Sequence, residues 1–242
     1  MRGMALETIV LLHGFTQTGR SWGPTIAALG ERYRALAPDL RGHGAAADAR
    51  PASFDAVRAD VLAFAPSRFA LAGYSMGGRI ALSLALAEPE RVSRLVLVGA
   101  SPGIAAEEER RARRAADEAL ADRIEAEGIE AFAARWSSLP LFAGQPPDVA
   151  AAAHAARLTQ SPAGLAAALR GLGTGVMEPL WDALPRLAIP VALIVGERDA
   201  KFRALAERMA AALPDAALHV VLGAGHAVQL ERPEAVAALL AG

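Results

Sequence analysis

The chain has 242 residues and a formal net charge of −1, a length that suits one domain or one domain with a large insertion. The balanced charge argues against a basic surface that would hold nucleic acid or an anionic membrane. There is no cysteine, which excludes a disulfide scaffold, a thiolate metal site and a cysteine nucleophile.

Short apolar runs alternate with helix-like segments over residues 8–98. The apolar runs are residues 8–12, 33–38, 69–72 and 94–98, and the helix-like segments between them are residues 21–29, 54–65 and 78–87. Repeated strand–helix units predict a parallel sheet with helices on both faces. Continuous apolar strands fit burial on both faces of that sheet.

The pattern changes after Gly103. Helical spacing, interrupted by prolines, continues over residues 107–127, 129–137, 148–158 and 162–172 with almost no strand pattern. A strand at 191–195, a helix at 202–213, a strand at 218–222 and a helix at 232–240 then follow. We therefore predict a core formed by residues 1–101 and 188–242, with a helical cap, residues 102–187, inserted between two strands.

The sequence predicts neither export nor a membrane span. The first apolar run is interrupted by Glu7 and ended by His13 and Gly14, so a buried strand explains it better than a signal peptide does. No stretch reaches the roughly 18 apolar residues of a spanning helix. We expect a cytoplasmic protein with no membrane partner, and the sequence leaves open whether it is a monomer or a homo-oligomer.

Ser75 is the candidate nucleophile. It stands in Gly-Tyr-Ser-Met-Gly, residues 73–77, directly after an apolar run and directly before a helix. This is the context of a nucleophile elbow, in which a strained turn lifts the serine hydroxyl out of the sheet. The helix start favours negative charge on the serine oxygen. The alternative is a tight glycine turn with an idle serine.

Among the five histidines, His226 is the candidate base. It follows the last predicted strand in a Gly-Ala-Gly-His segment, where a loop can reach the carboxyl edge of the sheet. His13 and His43 also follow strands, but glycine-flanked turns favour a role in holding the turn or lining an oxyanion hole. We interpret His154, in a cap helix, and His219, in a strand, as structural or surface residues.

Asp199 is the candidate acid that orients His226. It follows the strand at 191–195, which gives the chain order serine, acid, histidine. The alternative for Asp199 is a cap of the next helix, and Glu197 is the fallback acid. Two backbone N–H groups, of Phe15 and Met76, are expected to form the oxyanion hole.

These motifs together resemble the α/β-hydrolase superfamily. His-Gly-Phe at 13–15, Asp-Leu-Arg-Gly-His-Gly at 39–44, the elbow, the acid and the histidine come in the order of that family. The resemblance implies an α/β-hydrolase fold, with a mostly parallel sheet flanked by helices and an inserted helical cap. Few residues precede the first strand, so we expect a reduced set of N-terminal strands.

A narrower resemblance links the chain to the 2-succinyl-6-hydroxy-2,4-cyclohexadiene-1-carboxylate synthases of menaquinone biosynthesis. Tyr-Ser-Met-Gly-Gly-Arg at 74–79 is similar to the elbow of that family, and the cap segment 110–145 is similar as well. The resemblance implies a lyase that eliminates pyruvate from 2-succinyl-5-enolpyruvyl-6-hydroxy-3-cyclohexene-1-carboxylate. Ser75, His226 and Asp199 would assist proton abstraction, with neither metal nor cofactor.

A small anionic carboxylate substrate needs cations in the site. Of the 25 basic residues only Lys201 is a lysine, an excess of arginine that a GC-rich genome mostly explains. Arg79, one helical turn beyond Ser75, and Arg113, in the cap, are the candidate carboxylate ligands. Trp136 and Tyr74 are expected to line the same pocket. The alternatives are an ion pair for Arg79, a solvated basic face for Arg113 and a cap anchor for Trp136.

Two other functions fit the same motifs. A carboxylesterase or carbon–carbon bond hydrolase would use Ser75 as a covalent nucleophile in an apolar pocket. A non-catalytic ligand-binding protein on this scaffold is the second alternative, and the intact set of Ser75, Asp199 and His226 argues against it. The fold alone does not separate these functions.

Overall fold

A six-stranded sheet forms the centre of the computed structural model, which describes residues 6–242. The strands are β1 (Glu7–Leu12), β2 (Tyr33–Leu36), β3 (Phe69–Tyr74), β4 (Val92–Val98), β5 (Val191–Gly196) and β6 (Ala216–Val221). Their order is β2-β1-β3-β4-β5-β6, and all neighbouring strands are parallel. The predicted parallel sheet is therefore confirmed.

Nine α-helices surround or follow these strands in the described residues. They are α1 (Gly23–Leu29), α2 (Phe54–Phe64), α3 (Met76–Ala87), α4 (Glu107–Ser137), α5 (Pro147–Leu158), α6 (Pro162–Leu172), α7 (Ala200–Ala212), α8 (Val228–Glu231) and α9 (Pro233–Leu240). None of the helices in this part of the chain has both the length and the apolar character needed to cross a membrane.

The strands carry apolar side chains on both faces because helices cover both sides of the sheet. Val10 and Leu12 of β1 pack in one cluster with residues of α2, α3 and α7. Ile9 and Leu11 pack in a second cluster with residues of α1 and α9. All four side chains are fully buried, which explains why the strand reads as a continuous apolar run.

Helices α4, α5 and α6 lie between β4 and β5 in the chain, where the sequence predicts the cap. Gly128, with φ 81° and ψ 179°, interrupts α4 at the point between the two helices predicted there. Helices α4 and α6 share a small apolar core that includes Ile124 and Leu165, and Phe15 of the β1 loop packs against it. The boundaries of the cap domain at residues 102–187 stay a prediction.

Some predicted boundaries are wrong by two residues. Helix α3 begins at Met76 rather than at residue 78. Helix α7 begins at Ala200 because the Asp199 side chain accepts the Phe202 N–H and caps the first turn. Strand β6 begins at Ala216, where its pairing with β5 starts. All of the strands end at one edge of the sheet, where loops from distant parts of the chain meet.

Candidate active site

Ser75 occupies a strained turn between β3 and α3. Its backbone has φ 50° and ψ −108°, in a region that residues with a side chain rarely adopt. The Ser75 N–H donates to Val98 O of β4 at 2.9 Å, which fixes the turn to the neighbouring strand. The serine hydroxyl consequently stands at the carboxyl edge of the sheet and at the first turn of a helix.

The turn is possible because glycines lie where it touches the rest of the fold. A Cβ added to Gly77 would overlap Leu12 O of β1, and one added to Gly73 would overlap Gly77 O. The elbow therefore depends on the absence of these side chains rather than on backbone freedom alone.

We expect Gly77→Ala to lower the free energy of unfolding by about 1–3 kcal/mol because the new methyl group overpacks against β1. Urea denaturation measures this change. The matched control is Gly23→Ala in α1, where an added Cβ has no neighbour within 4 Å and alanine is the better helix former. Equal stability of the two variants would contradict the close contact at the elbow.

Ser75, His226 and Asp199 form a continuous hydrogen-bonded chain. His226 Nε2 lies 3.2 Å from Ser75 Oγ, and His226 Nδ1 lies 2.6 Å from Asp199 Oδ2. The imidazole is 2% exposed and Asp199 is 8% exposed. With Nδ1–H donating to the carboxylate, Nε2 is free to accept the serine proton.

Asp199 fills both roles that the sequence left open. Its Oδ2 meets His226, while its Oδ1 accepts the Phe202 N–H at 3.3 Å. The fallback acid Glu197 is turned away, because its carboxylate is exposed and accepts the Gly223 N–H at 2.9 Å. The geometry thus singles out Asp199 as the partner of the imidazole.

His13 and His43 hold the loop after β1 rather than titrating at neutral pH. His13 Nδ1 donates to Gly14 O at 2.8 Å, and its Nε2 accepts the Leu40 N–H at 2.9 Å. His43 Nε2 accepts the Thr16 N–H at 3.2 Å. Burial lowers the pKa of His13 to about 4. Burial, and then the nearby His13, lower the pKa of His43 to about 3.

These lowered pKa values couple folding to pH. The unfolded chain binds protons at His13 and His43 below a pKa of about 6.5, whereas the folded protein does not, so stability falls as the pH falls. Between pH 7 and pH 5 we expect a loss of about 2 kcal/mol for each histidine. Urea denaturation at both pH values should show that His43→Gln loses less stability between pH 7 and pH 5 than the wild-type protein does. The control His219→Gln should lose as much as the wild-type protein. A pH-independent stability of the wild-type protein would contradict the buried neutral imidazoles.

The two residues predicted to supply oxyanion donors, Phe15 and Met76, have main-chain N–H groups without an assigned acceptor in the described residues. Met76 is the first residue of α3, so its N–H has no acceptor within the helix. The Phe15 N–H donates to no acceptor among residues 6–242. Both residues line the cavity that contains Ser75 and His226.

That cavity has a volume of about 540 Å³ and brings most of the predicted site residues together. Arg79, Arg113 and Trp136 line it with the serine and the histidine. Tyr74 does not, which corrects the prediction that it faces the pocket. It is 3% exposed and packs beneath the site, with its ring 5.3 Å from that of His226.

Arg79 and Arg113 both line the cavity, but they differ in their hydrogen-bond and ion-pair partners. Arg79 Nη2 donates to Leu172 O at 2.8 Å, while its enclosed Nε has no hydrogen-bond partner among residues 6–242. Burial, and then the nearby Arg113, lower the pKa of Arg79 to about 10, so it stays charged at neutral pH. Arg113 Nε instead pairs with Asp117 Oδ1 at 2.8 Å. In the described residues Arg79 therefore has no ion pair, and the ion pair belongs to Arg113.

Trp136 serves two surfaces at once. It lines the cavity, and its ring centre lies 5.2 Å from that of Phe15 and 5.4 Å from that of Phe132. This side chain can therefore line the pocket and also anchor the predicted cap to the core. Elsewhere in the cap, Arg157 is 4% exposed and its Nε donates to Thr16 Oγ1 at 3.4 Å, which ties α5 to the loop that carries Phe15.

A buried carboxylate that sequence reasoning missed supports both the acid and the histidine. Glu231 Oε2 accepts the Gly225 N–H at 2.8 Å and pairs with Arg198 Nη2 at 2.7 Å. Gly225 directly precedes His226, and Arg198 directly precedes Asp199. Arg198 also donates to Gly144 O of the cap. Nothing local distinguishes this glutamate from an ordinary helix-end acid, so only the tertiary structure identifies it.

We expect Glu231→Gln to reduce stability by about 1–3 kcal/mol, because a neutral amide cannot replace the charge-assisted hydrogen bond to Arg198. The free energy of unfolding in urea measures the effect. Glu234→Gln, at an exposed residue of α9, is the control and should leave stability unchanged. A neutral effect of Glu231→Gln would show that the carboxylate does not support the two loops.

In the described part of the chain, no group of three or more histidine, aspartate or glutamate side chains is arranged to hold a metal ion. The polar side chains that line the cavity include the serine hydroxyl, the imidazole and the guanidinium groups of Arg79 and Arg113.

Comparison with known proteins places this site in a family. Residues 9–239 match the model of the alpha/beta hydrolase family, and the chain belongs to that family. A protein of Bacillus subtilis (strain 168), provisionally assigned as a 2-succinyl-6-hydroxy-2,4-cyclohexadiene-1-carboxylate synthase, is 39% identical over 95% of this chain and 87% of its own length. The synthase of Salmonella enteritidis PT4 (strain P125109) is 35% identical over 97% of this chain and 92% of its own length.

A solved structure agrees with these relatives. MenH from S. aureus superposes with a TM-score of 0.93 and 32% sequence identity, over 99% of this chain and 94% of that chain. The predicted α/β-hydrolase fold and the predicted resemblance to the synthases are both confirmed.

Proposed function

We propose that the protein is a lyase that eliminates pyruvate from 2-succinyl-5-enolpyruvyl-6-hydroxy-3-cyclohexene-1-carboxylate, as a step of menaquinone biosynthesis. The observation that carries this proposal is one cavity lined both by Ser75 and His226, which are hydrogen-bonded in a chain with Asp199, and by Arg79 and Arg113. An esterase for neutral esters has no need for a desolvated arginine one helical turn from its serine. The similarity to named synthases supports the same assignment.

The chemistry follows from the positions of the double bonds in substrate and product. His226 takes the hydroxyl proton of Ser75, and the serine oxygen removes the ring proton next to the succinyl carbonyl. The electron pair of that C–H bond enters the carbonyl as an enolate. When the carbonyl re-forms, the ring double bond shifts and the enolpyruvyl C–O bond breaks, which gives the 2,4-diene. The enolpyruvate leaving group then takes up the proton that His226 holds and becomes pyruvate.

The surrounding groups would stabilise the developing charge. The Phe15 and Met76 N–H groups would bind the enolate oxygen, and a single such donor is worth about 3–4 kcal/mol in a transition state. Asp199 would stabilise the imidazolium that forms on His226. Arg79 and Arg113 would hold substrate carboxylates, so that the ring proton faces Ser75.

Pyruvate release from this substrate, measured beside the hydrolysis of p-nitrophenyl acetate, tests the proposal. We expect pyruvate at a rate far above that of ester hydrolysis. Hydrolysis of the ester without pyruvate release would instead identify a carboxylesterase or carbon–carbon bond hydrolase. If the protein neither releases pyruvate nor hydrolyses the ester, the result would indicate a ligand-binding protein on this scaffold.

A further inference from the structure

Helix α7 presents a second cationic surface to the cavity. Lys201, Leu205 and Arg208 all line it, and their spacing of four and three residues places them on one face of the helix. Phe202 lies next to Lys201 in the same wall. This wall is separate from Arg79 and Arg113, which come from α3 and α4.

The two α7 cations have no carboxylate partner. Within residues 6–242, no carboxylate oxygen lies within 4.0 Å of Lys201 or Arg208, whereas Arg203 of the same helix pairs with Glu207 at 3.1 Å. An unpaired cation in the wall of a cavity is available to an anionic ligand, while Arg203 is already neutralised by its neighbour.

Aromatic rings hold both cations in place. Arg208 Cζ lies 4.3 Å from the ring centre of Trp181, and Lys201 Nζ lies 5.8 Å from that of Phe202. The Trp181 ring is itself fixed, because its Nε1–H donates to Gly103 O at 3.1 Å. Stacking orders the guanidinium without neutralising it, so its N–H groups keep their capacity to bind a carboxylate.

The charge of the cavity differs from that of the chain. Its lining includes four cationic side chains, those of Arg79, Arg113, Lys201 and Arg208, and one carboxylate, that of Glu109, although the formal net charge of the protein is −1. Asp117 pairs with Arg113, and Glu109 alone among the lining residues cannot balance the charges of Arg79, Lys201 and Arg208. The excess therefore points to a ligand with more than one negative group.

We propose that Lys201 and Arg208 form a second carboxylate subsite, so that the cavity binds a ligand with one carboxylate at Arg79 and Arg113 and another at α7. The inference rests on the proposed function for the identity of the ligand, since the proposed substrate carries several carboxylates. The subsite itself requires only a dicarboxylate that spans the cavity.

Calorimetric binding of plain dicarboxylates tests the subsite without catalysis. The probes are the straight-chain series from succinate to suberate, each compared with the monocarboxylate of the same carbon count. We expect at least one dicarboxylate to bind the wild-type protein about 10-fold more tightly than its monocarboxylate. In the double variant Lys201→Gln/Arg208→Gln, this preference should disappear while the affinity for monocarboxylates is retained.

The control is Arg20→Gln/Arg203→Gln, which removes the same charge from residues outside the cavity lining and should keep the preference for dicarboxylates. The proposal is overturned if the wild-type protein shows no preference, if the α7 double variant retains it, or if the control loses it equally through a general charge effect.

Kinetics separates this inference from the proposed function. With the enolpyruvyl substrate, the α7 double variant should raise KM about 10-fold or more, by a larger factor than any fall in kcat. A fall in kcat without a rise in KM would contradict a subsite. If the wild-type protein releases no pyruvate, the proposed function fails, and the calorimetric comparison still decides the subsite.

Discussion

The Ser75→Ala variant is expected to release pyruvate about 10²- to 10⁴-fold more slowly than the wild-type protein, the range for loss of a positioned general base. Ser75 lines the cavity and its Oγ lies 3.2 Å from His226 Nε2, so in the proposed mechanism this oxygen removes the ring proton after His226 has taken the hydroxyl proton. A coupled assay for pyruvate measures the rate.

Two controls test whether the slower release is specific to Ser75 and is not caused by unfolding. Ser93→Ala, in β4 and away from the cavity lining, should keep the wild-type rate. Circular dichroism and urea denaturation should show that Ser75→Ala is folded, since alanine meets the same φ of 50° as serine does. Retention of the wild-type rate by folded Ser75→Ala would remove the serine from the mechanism.

Arg79→Met is expected to lower kcat/KM by about 10- to 100-fold, which is the loss of one hydrogen-bonded charge contact to the substrate. In the described residues, Arg79 has an enclosed Nε without a partner and no carboxylate neighbour within ion-pair distance, so in the proposed function the substrate would supply the anion. Steady-state kinetics of pyruvate release measures the effect.

Variants of Arg113 and a lysine variant of Arg79 test whether the loss is specific to the Arg79 guanidinium group. Arg113 already pairs with Asp117, and its side chain is 42% exposed, so Arg113→Met should cost less than Arg79→Met. Arg79→Lys should recover only part of the loss because an ammonium group cannot form the two parallel hydrogen bonds of a guanidinium. Unchanged kinetics of Arg79→Met would show that this arginine has a structural role alone.

The sequence predicts those parts of the site that are encoded by local pattern and chain order. The elbow around Ser75 is a continuous motif, and Asp199 and His226 each follow a strand. Because parallel strands end at one edge, this order suffices to bring the three side chains together. Gly128 likewise marks the break in α4, since glycine adopts its φ of 81° without strain.

Other features depend on packing that no local pattern encodes. Tyr74 is next to the serine in sequence, yet the strand directs its ring beneath the site, against Gly14 and His226. Glu231 reaches the Gly225 N–H and Arg198 only in the folded chain. The spacing of Lys201 and Arg208 along α7 can be read from the sequence. Only the folded structure shows that the two side chains line the cavity with Ser75.

In the proposed reaction, Ser75 removes the ring proton next to the succinyl carbonyl and forms no covalent intermediate. A single-turnover measurement of pyruvate release, with the substrate carrying hydrogen or deuterium at that ring carbon, tests it most directly. We expect slower pyruvate release from the deuterated substrate, with an unchanged protein mass throughout the turnover. Equal rates for the two substrates, together with a mass increase located on Ser75, would contradict proton abstraction by Ser75 and identify a covalent nucleophile.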